Sequence, residues 1–369
     1  MLYITTRNYT CIKSKVCFLL IFTFAAGVIV SCGEERTRHP KKENFPYPNI
    51  EVVEPVGEFN VSDKGERDKG NLVPIDIYVG EREDVKVKHL NKGKYLVLDT
   101  HSYKLHVYDS INKKSYVLNE KSQGPKDLSW ATDISVRGDS VYISTLDFRY
   151  IVYYCSDSCE YERTERIPYQ GRSVSATSEG VFLAAQQPLM EKRKKAENME
   201  GIIYSPSSED YTFGKGYQHD SWLVKDKVNE LLMEARRLEK VVAFKYMPYV
   251  FVYEGQDIKY KAKVKSFEMT EFLYDGERGA LSVNKSNEWS EVISIKETSK
   301  NEYLVSVRNM KNASEQLVKS TRTYYINTEQ KSFLRENKYS ADISPIFEPI
   351  NTRERTLYYK SGRIYDKRD

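Results

Sequence analysis

Apolar residues in this chain come in short runs broken by polar turns, and the spacing within the runs is that of strands. Tyr95 to Tyr108 holds two apolar stretches around a polar turn at Thr100 to Ser102, which predicts a hairpin. The outline returns 46 residues later from Val141 to Tyr154, where Leu105 falls on Ile151, Val107 on Tyr153 and Tyr108 on Tyr154. A third copy is split, with Val181 to Ala185 separated by an insertion from Ile202 to Tyr204. A fourth runs from Val241 to Tyr253, and a fifth pairs Glu302 to Val307 with Thr323 to Ile326. The last is Arg355 to Lys360, then a Ser361-Gly362 turn and Arg363 to Tyr365. Hairpin ends at Tyr108, Tyr154, Tyr204 and Tyr253 recur every 46 to 50 residues, a period that in an all-strand chain predicts β-propeller blades. The expected fold is all-β, a six-bladed β-propeller with seven blades as the alternative count. Two β-sandwiches, the rival arrangement, would not require a period.

One segment departs from the strand pattern. From Ser221 to Glu239, apolar Val224, Val228, Leu231, Leu232, Ala235 and Leu238 recur at threes and fours, predicting an inserted amphipathic helix of about five turns. Asp220 or Ser221 would cap it.

The N-terminal pattern is different again. Arg7, Lys13 and Lys15 precede an apolar or small-residue run from Val16 to Val30, the length of a signal-peptide core and short for a membrane span. It ends in Ile29-Val30-Ser31-Cys32, which resembles a bacterial lipobox: the precursor is cut before the cysteine, and the cysteine is acylated. Two or three acyl chains anchor stably where one does not. Residues 1–31 are therefore expected to be a lipoprotein signal peptide, with Cys32 as the lipidation site. Residues 32–48, charged and containing Pro40, Pro46 and Pro48, read as a flexible tether, and 49–369 as the propeller domain.

Composition narrows the classes. With 12% aromatic residues, among them 29 tyrosines, the body of the chain is too rich in strand formers for extensive disorder. A mean hydropathy of −0.62 with a single long apolar run excludes a polytopic membrane protein. Of 57 basic and 53 acidic residues, three basic ones lie in 1–31, leaving a nearly neutral body with no expected nucleic-acid partner.

The layout resembles six-bladed, TolB-like β-propeller lipoproteins of Bacteroides-type bacteria. The resemblance rests on the lipobox, the six hairpins and Ser122-Gln123-Gly124-Pro125-Lys126-Asp127-Leu128, which is similar to a Gly-Gln-Gly-Pro-Gly-Glu-Phe stretch in that group. Ser122 and Lys126 replace two of its glycines. Ala243 to Pro248 is a second shared stretch. The resemblance implies a propeller fold and an outer-membrane, lipid-anchored location, facing either the periplasm or the surface, and it implies no activity. It also brings a glycosylation pattern, Asp-Ser followed by an apolar residue, which Asp109-Ser110-Ile111 and Asp139-Ser140-Val141 fit. Ser110 and Ser140 are thus candidate glycosylation sites, although Asp-Ser is also ordinary turn chemistry.

Candidate chemistry is sparse. With Cys11 and Cys17 in the signal and Cys32 lipidated, Cys155 and Cys159 remain, expected as a small disulfide. No metal and no cofactor are expected. The five histidines, His39, His89, His101, His106 and His219, show no ligand spacing. Asp99, Asp133 and Asp147 near strand ends could bind a metal or act as acid and base or, more simply, cap turns. The run from Glu191 to Glu200 mixes bases with acids and reads as a solvated loop. These features favour a binding or scaffolding module for an envelope protein or glycan. The alternative is a glycan-directed envelope hydrolase or lyase at the central funnel, its catalytic residues unassigned. An enzyme would gather carboxylates, His or Arg from several blades around the axis, whereas a scaffold would show aromatic patches on a face.

Overall fold

The computed structural model describes residues 35–38, 50–55, 72–79, 85–91, 93–119, 124–188, 202–206, 211–217, 222–265, 267–275, 280–284, 288–313, 316–339, 344–347, 357–360 and 363–367. The signal segment, Cys32, His39, His219, Asp220, Ser221, Ser122, Gln123 and the 191–200 run lie outside them.

Five sheets, each made of four consecutive antiparallel strands, form a β-propeller. Blade 1 comprises Val85–Asn91, Lys94–Asp99, Lys104–Asp109 and Lys114–Asn119. Blade 2 comprises Ala131–Arg137, Ser140–Thr145, Arg149–Cys155 and Cys159–Arg166. Blade 3 comprises Tyr169–Thr177, Gly180–Pro188, Ile203–Ser205 and Tyr211–Phe213. Blade 4 comprises Leu231–Arg236, Glu239–Phe244, Tyr249–Glu254 and Asp257–Lys263, and blade 5 Trp289–Ser299, Glu302–Ala313, Gln316–Asn327 and Ser332–Tyr339. The first strand of each blade lies innermost.

The expected count of six, or seven, is corrected to five blades of consecutive strands. The last hairpin, Leu357–Lys360 with Arg363–Lys367, is not a repeat in its own right. It is completed by Ser344–Phe347 on one side and by Leu72–Tyr78, from the other end of the chain, on the other. This composite sheet closes the ring and covers an edge that would otherwise be open to pairing.

The apolar runs are explained by burial on both faces. In Lys94–Asp99, Leu96 and Leu98 pack toward Ile134, Ile143 and Ile151 of blade 2. Tyr95 and Val97 turn the other way, toward Ile75, Ile77 and Ile364 of the closing sheet. Blade 4 repeats the scheme: Val241, Ala243, Val250 and Val252 face blade 5, and Val242, Phe244, Phe251 and Tyr253 face blade 3. A strand buried on both sides has no polar face to alternate with, so its sequence reads as continuous apolar residues.

The long helix expected over 221–239 is corrected. Helix α1 covers only Trp222–Val228, and Leu231–Arg236 is already the inner strand of blade 4. The Asn229 side chain stops the helix, donating to the Lys225 and Tyr217 carbonyls and accepting from the Tyr217 N–H at 2.8 Å. Beyond it, Leu231, Met233 and Ala235 are buried in alternation, the strand period.

The N-terminal segment contributes strands as well. Glu35–Arg38, within the expected tether, pairs with Glu271–Asp275 in a small three-stranded sheet. Val52–Val53 adds in parallel to the outer strand of blade 4 beside Lys261 and Ala262.

Candidate functional site

The inner strands stand side by side and run in the same direction, joined by short polar side chains. Asp133 Oδ2 and Ser135 Oγ accept the Val174 and Ala176 N–H groups at 3.2 and 3.0 Å. One blade further on, Ser173 Oγ and Ser175 Oγ accept the Met233 and Ala235 N–H groups at 3.3 and 2.8 Å. The inner strands of blades 2 and 3 thus use alternate side chains to satisfy the buried backbone of the next strand. The end of the ring where these strands begin is called the mouth below.

Charged side chains from four blades converge within this ring. Lys88 of blade 1 reaches across to Glu234 of blade 4, Nζ to Oε2 2.5 Å. Arg236, one turn of the pleat further, pairs with Glu297 of blade 5. Asp133 of blade 2 accepts three hydrogen bonds, from Ser173 Oγ at 2.5 Å and from the Ile134 and Val174 N–H groups. Burial alone would lower the Lys88 ammonium, but Glu234, Asp133 and Glu297 outweigh it and raise it above its ordinary value. Burial raises the Glu234 carboxyl despite Lys88, and raises Glu297 despite Arg236. The ammonium is held charged while two carboxyls are pushed toward their neutral forms.

A second cluster lies at the mouth around Glu230. Lys227 of α1 meets it at 2.6 Å, Arg172 of blade 3 at 3.8 Å and Lys245 at 3.9 Å. Lys245 also approaches Glu291 at 3.4 Å, and Arg308 meets Glu291 at 3.2 Å. Burial would raise the Glu230 carboxyl, but the three cations together hold it below its ordinary value. Lys227 and Lys245 sit 5.1 and 5.3 Å from the centre of the Tyr246 ring.

At the mouth of blades 1 and 2, three aromatic residues have left-handed backbones: Tyr103 (φ 57°), Trp130 (φ 67°) and Phe148 (φ 63°). Such a conformation costs about 1–3 kcal/mol per residue and persists only where surrounding contacts impose it. The Trp130 carbonyl accepts the Leu146 N–H at 3.0 Å, and its ring lies 6.2 Å from that of Tyr103. The adjacent 124–128 stretch is held by its carbonyls. Arg149 donates to Gly124, Pro125 and Asp127, and Leu128 is fully buried. Gly124 has φ 110°, so this glycine of the motif is required for its backbone.

The residues singled out in the sequence are dispersed. Asp99 caps its hairpin turn, accepting the His101 and Ser102 N–H groups and Ser102 Oγ, and Asp147 pairs with Arg149 at 2.6 Å. Of the three aspartates, only Asp133 belongs to the axis. His101 is exposed, and His106 is buried, its imidazole lowered by desolvation. Ser110 is buried with Oγ donating to the Gly93 carbonyl at 2.7 Å, while Ser140 is half-buried at the start of a strand. Cys155 and Cys159 face each other across a tight turn, Cα 3.9 Å apart, with their sulfurs bonded. Among the described residues, no three His, Cys, Asp or Glu side chains converge as metal ligands would. Lys88, Glu234, Arg236, Glu297 and the Glu230 cluster were not anticipated. Their signal was the polar alternation in Val85-Lys-Val-Lys88 and Met233-Glu-Ala-Arg236 on the first strand of each repeat.

No protein-family model matches the chain, and no curated protein matches it in sequence. Among solved structures, a protein of Bacteroides fragilis described as exported is 10% identical, with a TM-score of 0.50 over 83% of this chain and 88% of that one. A chain of the mitotic checkpoint complex is 11% identical, with a TM-score of 0.44 over 85% and 96%. The WD40 β-propeller domain of Doa1 is 7% identical, with a TM-score of 0.41 over 81% and 98%. At such identities, the first likeness concerns the fold alone.

Proposed function

We propose that the chain is a binding or scaffolding module of the bacterial cell envelope, anchored through acylated Cys32 to the outer membrane. The carrying observation is the Lys88–Glu234 ion pair, which crosses the ring at 2.5 Å. With Asp133 accepting from Ser173, Ile134 and Val174, the axial polar groups are engaged with one another and leave the faces to meet a partner. The lipobox and the exported Bacteroides neighbour support the envelope location, and the 122–128 motif supports kinship with TolB-like propeller lipoproteins. The partner class is an envelope protein or glycan. Crosslinking in intact cells, affinity purification and mass spectrometry of the lipidated protein test this reading. A stoichiometric envelope partner, lost on substitution of one face, supports it, and none above background counts against it.

A second reading, a glycan-directed hydrolase or lyase, is favoured by one observation: Glu234 and Glu297, from two blades, are both held toward their protonated forms. It requires that Glu234→Gln or Glu297→Gln abolish glycan cleavage while the protein stays folded.

A further inference from the structure

We infer that the mouth of the propeller is the face turned toward the lipid bilayer. The inference rests on the acylation of Cys32 proposed above, and its first support is the path of the chain. Glu35–Arg38 pairs with Glu271–Asp275, Arg36 opposite Leu273 and Thr37 opposite Phe272. The small sheet so formed stands on the mouth. Phe272 is fully buried, and its ring meets edge-on that of Tyr246, in the turn between the second and third strands of blade 4, at 5.5 Å. Just before this sheet, Glu268 exchanges hydrogen bonds with Ser290 at the start of the inner strand of blade 5.

Only Gly33 and Glu34 separate Cys32 from this strand. Three Cα steps span no more than about 10 Å, whereas residues 32–50 left free would reach about 60 Å and let any face approach the membrane. Pairing of 35–38 removes that freedom. With the acyl chains of Cys32 in the bilayer, the mouth of blade 4 sits within one short peptide of the headgroups.

The second support is independent of the anchor. Three exposed apolar side chains stand at the mouth, spread around the ring. Met269 (44% exposed) lies beside the small sheet, Trp130 (56%) between blades 1 and 2 across the axis, and Tyr78 (66%) at the end of the outer strand of the closing sheet. Three points at different positions around a ring define a plane. Trp and Tyr rings, apolar with a polar edge, are suited to the headgroup level. Trp130 stands on a left-handed backbone with its ring 6.2 Å from that of Tyr103. The opposite end carries exposed Ile111, Leu238 and Tyr154 at or beside its turns but, among the described residues, no strand leading to the anchor, so the path of the chain is what distinguishes the two ends. A partner in solution would therefore meet that opposite end.

The test uses the full-length lipidated protein in vesicles of phosphatidylethanolamine and phosphatidylglycerol with brominated acyl chains, which quench nearby tryptophan fluorescence. Trp130→Phe is expected to reduce the quenched fraction about twofold, and Ile111→Trp in that background to restore none of it. An Arg36→Cys/Leu273→Cys pair should form a disulfide and leave the quenching of Trp130 unchanged. Intact mass separates the failures. No acyl group on Cys32 removes the anchor and the inference together. An acylated protein whose Trp130 is unquenched, whether or not Ile111→Trp is quenched, overturns the inference alone. So does a locked pair that abolishes quenching.

Discussion

Lys88 is the side chain on which the axis turns. Its ammonium faces Glu234, Asp133 and Glu297, and each carboxyl has fewer cations nearby than the lysine has anions. Lys88→Met leaves these acids facing one another with Arg236 engaged by Glu297, and for this half-buried pair the loss should fall between the ~1 kcal/mol of a surface pair and the ~3 kcal/mol of a fully buried one. Lys88→Met with Glu234→Leu should recover most of that loss in thermal unfolding, because the uncompensated charge goes with the pair. The pH dependence has a definite sign. A carboxyl raised in the fold contributes stability that is full below the ordinary carboxylate range and is lost as pH climbs through the raised value. Glu234→Gln lacks that loss. The Tm of Glu234→Gln relative to wild type should therefore rise from acid toward neutral pH, and a flat or falling difference would contradict the burial of Glu234. Glu230, held low by its cations, contributes in the opposite sense and is lost as pH falls, which is why the comparison is made between variants.

At the scale of elements, the tightest turn bears a testable staple. Cys155–Cys159 closes the outer hairpin of blade 2 over a loop of three intervening residues. A loop so short constrains the unfolded chain by only about 2 kcal/mol. Cys155→Ala/Cys159→Ala should lower the unfolding free energy by roughly that amount and leave the circular dichroism unchanged. Alkylation before and after reduction should find two thiols only after reduction. The same hairpins show what was legible in the sequence. The middle strands of blades 1, 2 and 4 were readable because burial on both faces makes them continuous apolar runs between turns. Residues 221–239 were misread because Val224, Val228, Leu231 and Ala235 satisfy helical spacing while Leu231, Met233 and Ala235 also satisfy strand spacing. What decides between them is Asn229, whose bonds to Tyr217 and Lys225 are not visible in a periodicity. Leu238, counted on the helical stripe, is exposed at a turn. The axial cluster was hidden for a different reason: Lys88 and Glu234 are 146 residues apart, and only ring closure brings them together.

At the scale of the whole molecule, closure depends on strands from the two ends of the described chain. Leu72–Tyr78 pairs with Arg363–Lys367, Tyr78 opposite Arg363 and Leu72 opposite Lys367. Ile75, Ile77 and Ile364 from this seam pack with Val85, Val87 and Val97 of blade 1, and Ser115 Oγ donates to the Asp76 carbonyl across the same boundary. A period count assigns the last hairpin a blade of its own because the completing strand lies nearly the whole chain away. If the seam is where the ring first opens, fixing it should stabilise everything else. Tyr78 and Arg363 are both exposed and directly opposite, so Tyr78→Cys/Arg363→Cys can be made without disturbing the core. The new disulfide would close a loop spanning most of the chain, for which the limiting stabilisation is about 6 kcal/mol, larger than that of the native staple. Made in the Cys155→Ala/Cys159→Ala background, the oxidised variant should melt well above its reduced form. Equal melting temperatures with the bond formed would mean that the ring unfolds from another seam. Failure of the cysteines to join would mean that the two ends are not partners.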